Sequence, residues 1–175
     1  MENKNKSCCS CGSACCGEVN TKVNKRKLVI DFLYLDLTSC DRCMKTDDTL
    51  DEALNEVKRV LEATGIEVVV NKINITNEDL AKKYKFVSSP TIRINGRDIQ
   101  MDIKESPCKA CGDLCGDDVD CRVWVYQGKE YDFPPKEMII ESILKAVYGG
   151  SETVKEEEYV MPENLKRFFD GMKKR

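Results

Sequence analysis

The sequence of 175 residues contains no histidine, although it contains 11 cysteines. Without an imidazole, the chain has no histidine base that titrates near neutral pH and no histidine ligand for a metal ion. Thiolates are then the strongest remaining nucleophiles and the softest remaining ligands. The absence of histidine therefore makes the cysteines the first candidates for any chemistry.

Long apolar segments and an excess of basic charge are also missing. No stretch approaches the roughly 18 consecutive apolar residues of a membrane span, and the opening MENKNKS leads into cysteines instead of the apolar part of a secretory signal. The formal net charge is only -3, so no basic surface is available for nucleic acid. We therefore expect a cytoplasmic protein that binds neither nucleic acid nor membranes. In that compartment clustered cysteines indicate metal ligands or catalytic thiols rather than disulfides.

The hydrophobic pattern predicts an α/β domain over residues 27–150. Residues 28–37 (LVIDFLYLDL) and 66–74 (IEVVVNKIN) are typical of buried strands. The apolar residues between them recur at helical spacing and end at Gly65. The remaining predicted elements are a short helix capped by Thr76 and running to about Lys85, hairpin turns at Asn95-Gly96 and Gln127-Gly128, and a helix from Pro134-Pro135 to Gly149-Gly150.

The two ends of the chain differ from this domain in composition. Residues 1–26 are polar apart from their cysteines and predict a disordered tail. Residues 151–175 predict a linker followed by an amphipathic helix, which we expect to pack on its own domain; docking to a partner is the alternative. The apolar face of this helix comprises Leu165, Phe168, Phe169 and Met172.

One cysteine pair carries a resemblance to a known family. Cys40 and Cys43 form a C-x-x-C motif that follows the first predicted strand and opens a helix, and VSSPTIRING further on contains Pro90 just before a strand. Together with the element order, these motifs resemble thioredoxin-like proteins over residues 28–149. The resemblance implies a central mixed sheet flanked by helices, with a Cys-rich insertion at about residues 104–121 before the final strands and helix. More narrowly, the chain is similar to an uncharacterised prokaryotic thioredoxin-like family, a domain of unknown function with an extra cysteine-rich segment.

This resemblance implies a role for four residues. Pro90 would take the cis form beside the C-x-x-C loop, and the backbone of Ser89 would face an extended substrate. The helix start favours a thiolate at Cys40, which would attack a disulfide of a protein or small molecule before Cys43 resolves the mixed disulfide. Metal binding by the pair and two unreactive thiols are the alternatives.

Four further cysteines lie in the insertion with the spacing C-x2-C-x3-C-x5-C. Four thiolates at such spacing suit Zn or an Fe–S cluster, and this predicts a metal site. Disulfides, or a redox relay to Cys40, are the alternative interpretations. The predicted ligands are Cys108, Cys111, Cys115 and Cys121.

The remaining five cysteines lie in the N-terminal tail and include two adjacent pairs. Such thiols suit capture of a soft metal or metalloid (Zn, Cu(I) or trivalent arsenic). They are also compatible with an arm that delivers electrons or ions to Cys40, or with an incidental oxidisable tail. These residues are Cys8, Cys9, Cys11, Cys15 and Cys16. The functional hypotheses are thus thioredoxin-like thiol–disulfide exchange, non-enzymatic binding or transfer of a soft metal or metalloid, and a regulatory module.

Overall fold

A computed structural model describes residues 26–150 and 158–174 of the chain. The tail predicted at residues 1–26 and the linker after residue 150 fall almost entirely outside the described residues. The elements are β1 (Arg26–Tyr34), α1 (Asp41–Ala63), β2 (Ile66–Asn74), α2 (Glu78–Lys83), β3 (Thr91–Ile94), β4 (Arg97–Asp98), β5 (Lys104–Pro107), α3 (Lys109–Cys115), β6 (Asp120–Tyr126), β7 (Lys129–Tyr131), α4 (Lys136–Tyr148) and α5 (Glu163–Lys173).

Strand β1 is an inner strand of a four-stranded sheet with the order β2-β1-β3-β4. It pairs in parallel with β2 and antiparallel with β3, and β3 continues antiparallel to β4. The predicted mixed sheet flanked by helices is therefore confirmed at the level of an α/β architecture. The burial expected for β2 is wrong, because β2 lies at the sheet edge and Val70 remains 36% exposed.

The side chains of β1 supply both faces of this sheet, as successive residues of a strand point to opposite sides. Ile30 and Phe32 enter a core that α1 and α4 complete. Leu33 and the following Leu35 enter a second core that contains the cysteines. One strand thus connects the main hydrophobic core to the Cys-rich region.

The local turns follow the sequence signals closely. Asn95 and Gly96 both have positive φ, at 50° and 80°, which suits the two-residue hairpin between β3 and β4. Helix α2 begins one residue later than predicted: the side chain of Asn77, rather than Thr76, accepts a hydrogen bond from the Leu80 N–H at 2.9 Å.

The insertion forms β5, α3 and the start of β6, and β5-β6-β7 make a second, antiparallel sheet. Helix α5 packs against α3. The approach is so close that a Cβ on Gly171 would lie 2.3 Å from the carbonyl oxygen of Cys115. Leu165, Phe168 and Phe169 are buried, so these three residues of the predicted apolar face pack on their own chain, whereas Met172 is 40% exposed.

The helices formed by residues 26–150 and 158–174 are all too short or too polar to cross a membrane.

Candidate metal centre

Four cysteines from distant parts of the sequence converge in the second core. Their Sγ atoms all lie within 4.8 Å of one another, and all four residues are buried. The Sγ of Cys40 is 4.0 Å from that of Cys108, and the Sγ of Cys111 is 3.3 Å from that of Cys121. In a tetrahedral thiolate site, Zn–S bonds of about 2.3 Å separate the sulfurs by roughly 3.8 Å. These four cysteines could therefore hold a metal ion; we call them the thiol quartet.

Two helix starts and one strand position the quartet. Cys40 is the N-cap of α1, and Cys108 is the N-cap of α3. Both have extended backbones and leave their side chains free of capping hydrogen bonds. Cys111 lies in the first turn of α3, and Cys121 lies in β6. The insertion thus supplies three thiols, and the loop and helix that follow β1 supply the fourth, Cys40.

Cys115 does not belong to the quartet, although the sequence predicted it as a ligand. Its Sγ contacts the carbonyl oxygens of Gly112 at 3.8 Å and Asp117 at 3.6 Å. Helix α3 carries Cys115 one turn beyond Cys111, where its backbone meets α5. The group of thiols that the structure brings together therefore differs from the predicted ligand set, with Cys40 where the sequence suggested Cys115.

Cys43 lies next to the quartet but outside it. Its Sγ is 3.4 Å from the Oγ of Ser89, and both Cys40 and Cys43 are fully buried. The Ser89–Pro90 peptide bond is cis, as the resemblance implied. The carbonyl oxygen of Ser89, however, accepts a hydrogen bond from the N–H of Arg122 at 2.7 Å. Strand β6 of the same chain thus uses the backbone group that was expected to face a substrate.

The thiols perturb one another electrostatically. Hydrogen bonds from Cys108, then Cys111 and Cys121, hold the pKa of Cys40 far below its usual range. Hydrogen bonds from Cys111 and Cys121 lower the pKa of Cys108 from 9.0 to about 7. The hydrogen bond with Cys40, together with burial, raises the pKa of Cys43. The cluster therefore concentrates negative charge on Cys40, which favours a bound cation.

Cys111 and Cys121, the two remaining quartet members, also act as hydrogen-bond donors in this network. Hydrogen bonding to Cys108 raises the pKa of Cys111, and hydrogen bonding to Cys108 and Cys111 raises that of Cys121. A metal ion would displace their protons, as ligation requires thiolates.

The loop before Cys40 is organised by Asp36, which the sequence alone did not single out. Its carboxylate accepts hydrogen bonds from the backbone and hydroxyl groups of Thr38 and Ser39, and from the Cys40 N–H at 3.1 Å. Burial raises the pKa of Asp36, but these hydrogen bonds outweigh that effect and lower it to about 2. An Asp followed by Thr and Ser is the signal for such a turn.

Arg42 joins the C-x-x-C motif to the insertion. Its guanidinium donates to the carbonyl oxygens of Ser106 at 3.3 Å and Cys121 at 3.1 Å, and to the Ser106 Oγ at 2.9 Å. It also forms an ion pair with Asp132 at 2.8 Å. Arg42, one of the two residues between the motif cysteines, thus fixes the strand that carries one of the quartet thiols.

A cleft of about 940 Å³ opens beside the quartet. Cys108 lines it and, with 8% of the residue exposed, is the most exposed of the four cysteines. Asp113, Asp117, Asp118 and Asp120 also lie along its wall. Solvent therefore approaches the centre past Cys108.

The fold and the site define an α/β protein with a buried four-cysteine cluster that could hold a metal ion. Residues 28–143 match a domain of unknown function, DUF2703, and the chain belongs to this family. It is 34% identical over 102 residues to an uncharacterized protein of Archaeoglobus fulgidus, a match that spans 55% of this chain and 70% of the relative. No solved structure matches the chain. The family match includes the whole quartet and excludes the N-terminal cysteines.

Proposed function

We propose that this protein binds one soft metal ion through Cys40, Cys108, Cys111 and Cys121. The observation that carries the proposal is the convergence of the four Sγ atoms within 4.8 Å of one another. The burial of all four thiols also supports it. Thiols rarely lie this close together in a core unless they share a metal ion or form disulfides.

The spacing of the sulfurs favours a single ion. In an Fe–S cubane each thiolate binds a different iron, so the four cysteine sulfurs lie further apart than around one ion. Zinc is our first candidate, since it accepts four thiolates in a closed tetrahedral site. A set of four protein ligands leaves no position for a catalytic water. The proposal is therefore metal storage, transfer or sensing rather than hydrolysis at the metal.

Thiol–disulfide exchange by Cys40 and Cys43 is the second candidate. The strand order β2-β1-β3-β4, the C-x-x-C motif at the start of α1 and the cis Ser89–Pro90 bond support a thioredoxin-like architecture. The lowered pKa of Cys40 supports a nucleophilic role. Two observations make a protein substrate the weaker reading: both thiols are fully buried, and Ser89 already pairs with β6.

The five tail cysteines stay a prediction, because they lie outside the described residues. We propose that they capture soft ions for the quartet. Ten residues separate Cys16 from Lys27, and an extended chain spans about 3.3–3.6 Å per residue. Fully extended, these ten residues would reach on the order of 30 Å. This is about the length of the nine-residue strand β1, which begins where the tail ends and runs towards Cys40.

Metal content tests the first candidate. The background is the full-length chain with the five tail cysteines changed to serine, purified without oxygen and supplied with zinc. We expect elemental mass spectrometry to find about one zinc ion per chain. Cys40→Ser should lose it, whereas Cys115→Ser should keep it. Loss in the second variant with retention in the first would restore the ligand set predicted from the insertion and contradict the quartet.

A redox titration tests the second candidate in the same background, made metal-free. Exchange requires a reversible two-electron couple that disappears in Cys43→Ser. The potential should fall near that of the glutathione pool, about -220 to -320 mV. A protein without such a couple is not a thiol–disulfide exchanger.

A further inference from the structure

Cys40 belongs to two sets of thiols at once. It is a quartet member, 4.0 Å from Cys108 between sulfurs. As the N-cap of α1 it also precedes Cys43 by three residues, and Cys43 lies in the first turn of the same helix and in the same buried core. Cys43 is buried and lies outside the quartet. A metal-loaded centre would therefore keep one unligated thiol directly beside one of its ligands.

We propose that Cys43 is the resolving thiol of a peroxide-driven release step, in which Cys40 exchanges its bond to the metal for a disulfide with Cys43. This inference rests on the proposed function, as it requires a metal in the quartet. It makes metal binding and disulfide formation mutually exclusive states of one cysteine.

The chemistry needs hydrogen peroxide as the oxidant. The Cys40 thiolate attacks one peroxide oxygen, the O–O bond breaks, and the leaving hydroxide takes a proton from solvent, which gives a sulfenic acid and water. The Cys43 sulfur then attacks the Cys40 sulfur, and the departing hydroxyl leaves as water with the Cys43 proton. Two electrons pass from the two cysteines to the peroxide, which ends as two water molecules.

Loss of Cys40 weakens the centre because a disulfide sulfur is a far poorer ligand than a thiolate. Three thiolates remain, and protons compete for them as the ion leaves. Peroxide is little larger than water, so it can enter along the cleft that Cys108 lines.

Cys111 and Cys121 are the competing pair, with sulfurs 3.3 Å apart. Both are ligands in the loaded state, however, so each would have to leave the ion before the two could join. Among the cysteines of residues 26–150 that lie next to Cys40, Cys43 alone would have no metal bond to break. The first disulfide should therefore contain Cys43.

The test uses the full-length, zinc-loaded protein with the tail cysteines changed to serine. Hydrogen peroxide is added, and a chromophoric zinc chelator reports release. Cys43→Ser should hold the same amount of zinc and release it about tenfold more slowly, since its sulfenic acid has no resolving thiol. Cys115→Ser is the matched control, a buried cysteine outside the quartet, and should stay within about twofold of the parent. Cys43→Ala is the second variant if the serine protein does not fold.

Peptide mapping of the oxidised parent should show a Cys40–Cys43 disulfide. Equal release rates in the parent and both Cys43 variants would overturn the inference, as would a first disulfide between Cys111 and Cys121. Loss of zinc from both Cys43 variants before oxidation would overturn it too, because Cys43 would then be a ligand. If the parent holds no zinc at all, the proposed function fails as well; if it holds zinc and only the release result is negative, this inference fails alone.

Discussion

The sulfur atoms of Cys40 and Cys108 lie 4.0 Å apart, although the two residues are separated by 68 positions in the chain. One follows the inner strand β1, and the other opens helix α3 of the insertion. A metal bound by both would tie the insertion to the sheet, so its binding free energy would contribute to folding. The contacts around this junction lead to four predictions.

Arg42→Ala should weaken both the fold and the metal site. The substitution removes the donors to Ser106 and to the carbonyl oxygen of Cys121. Hydrogen bonds from a charged group contribute about 1.5–3 kcal/mol, so we expect a loss of about 2 kcal/mol in the free energy of unfolding. Urea unfolding of the metal-free protein measures it, and chelator competition should show lower zinc affinity.

The matched control is Arg59→Ala, which removes an exposed arginine from the same helix. It should change the free energy of unfolding by no more than about 0.5 kcal/mol. Identical behaviour of the two variants would mean that Arg42 does not anchor the insertion.

Cys108 should be the first quartet thiol to react with iodoacetamide in the metal-free protein. It combines the greatest exposure of the four with a pKa lowered to about 7. Because the thiolate is the reactive form, its rate should rise as the pH increases through about 7 and level off above that value. Peptide mapping identifies the modified residue, and added zinc should protect it. Prior labelling of Cys111 or Cys121, which are both fully buried, would contradict this order.

Asp36→Asn should cost stability in a pH-dependent way. The carboxylate of the folded protein has a pKa of about 2 against an ordinary value of 3.8, so the charged form favours folding. Its contribution is complete above the ordinary value and is lost as the pH falls towards the folded one. For this partly exposed group we expect about 1 kcal/mol at pH 6.

Urea titrations of the metal-free parent and of Asp36→Asn at several pH values measure this difference. It should shrink between about pH 4 and pH 2. Asp102→Asn replaces an exposed carboxylate elsewhere and should leave the curves unchanged. A difference that persists undiminished at pH 2 would show that the charge of Asp36 is not the cause.

Gly171→Ala should weaken the packing of α5 against α3 and lower the free energy of unfolding. The new methyl group would meet the Cys115 carbonyl oxygen at 2.3 Å, and overpacking of this kind costs about 1–3 kcal/mol. Thermal or urea unfolding measures the loss, and zinc release to a chelator should accelerate. Lys166→Ala on the exposed side of α5 should have little effect. If both variants are as stable as the parent, α5 does not pack closely on α3.

Local signals in the sequence predicted most elements of the fold. The apolar residues on both faces of residues 28–37 identified β1. The Asn-Gly and Gln-Gly pairs identified two hairpin turns, and all four of these residues have positive φ. The exposure of β2 was missed because a strand at a sheet edge can carry the same valine-rich run as an inner one.

The site was predictable only in part. Spacing pointed to Cys108, Cys111 and Cys121, three of the four cysteines whose Sγ atoms converge, because they are neighbours in one insertion. It did not distinguish Cys115 from Cys40, since that choice depends on where the helical turn after Cys111 points and on which strand end the insertion meets. Tertiary packing decides both, and no pattern within the insertion encodes it.

The hydrogen bond from the Arg122 N–H to the Ser89 carbonyl oxygen has a further consequence. Strand β6 thereby occupies the carbonyl oxygen of Ser89 in the cis-proline loop. A foreign peptide would have to outcompete this resident strand, whereas small molecules and ions would not. The chain itself thus occupies the backbone group that the thioredoxin-like resemblance assigns to an extended substrate.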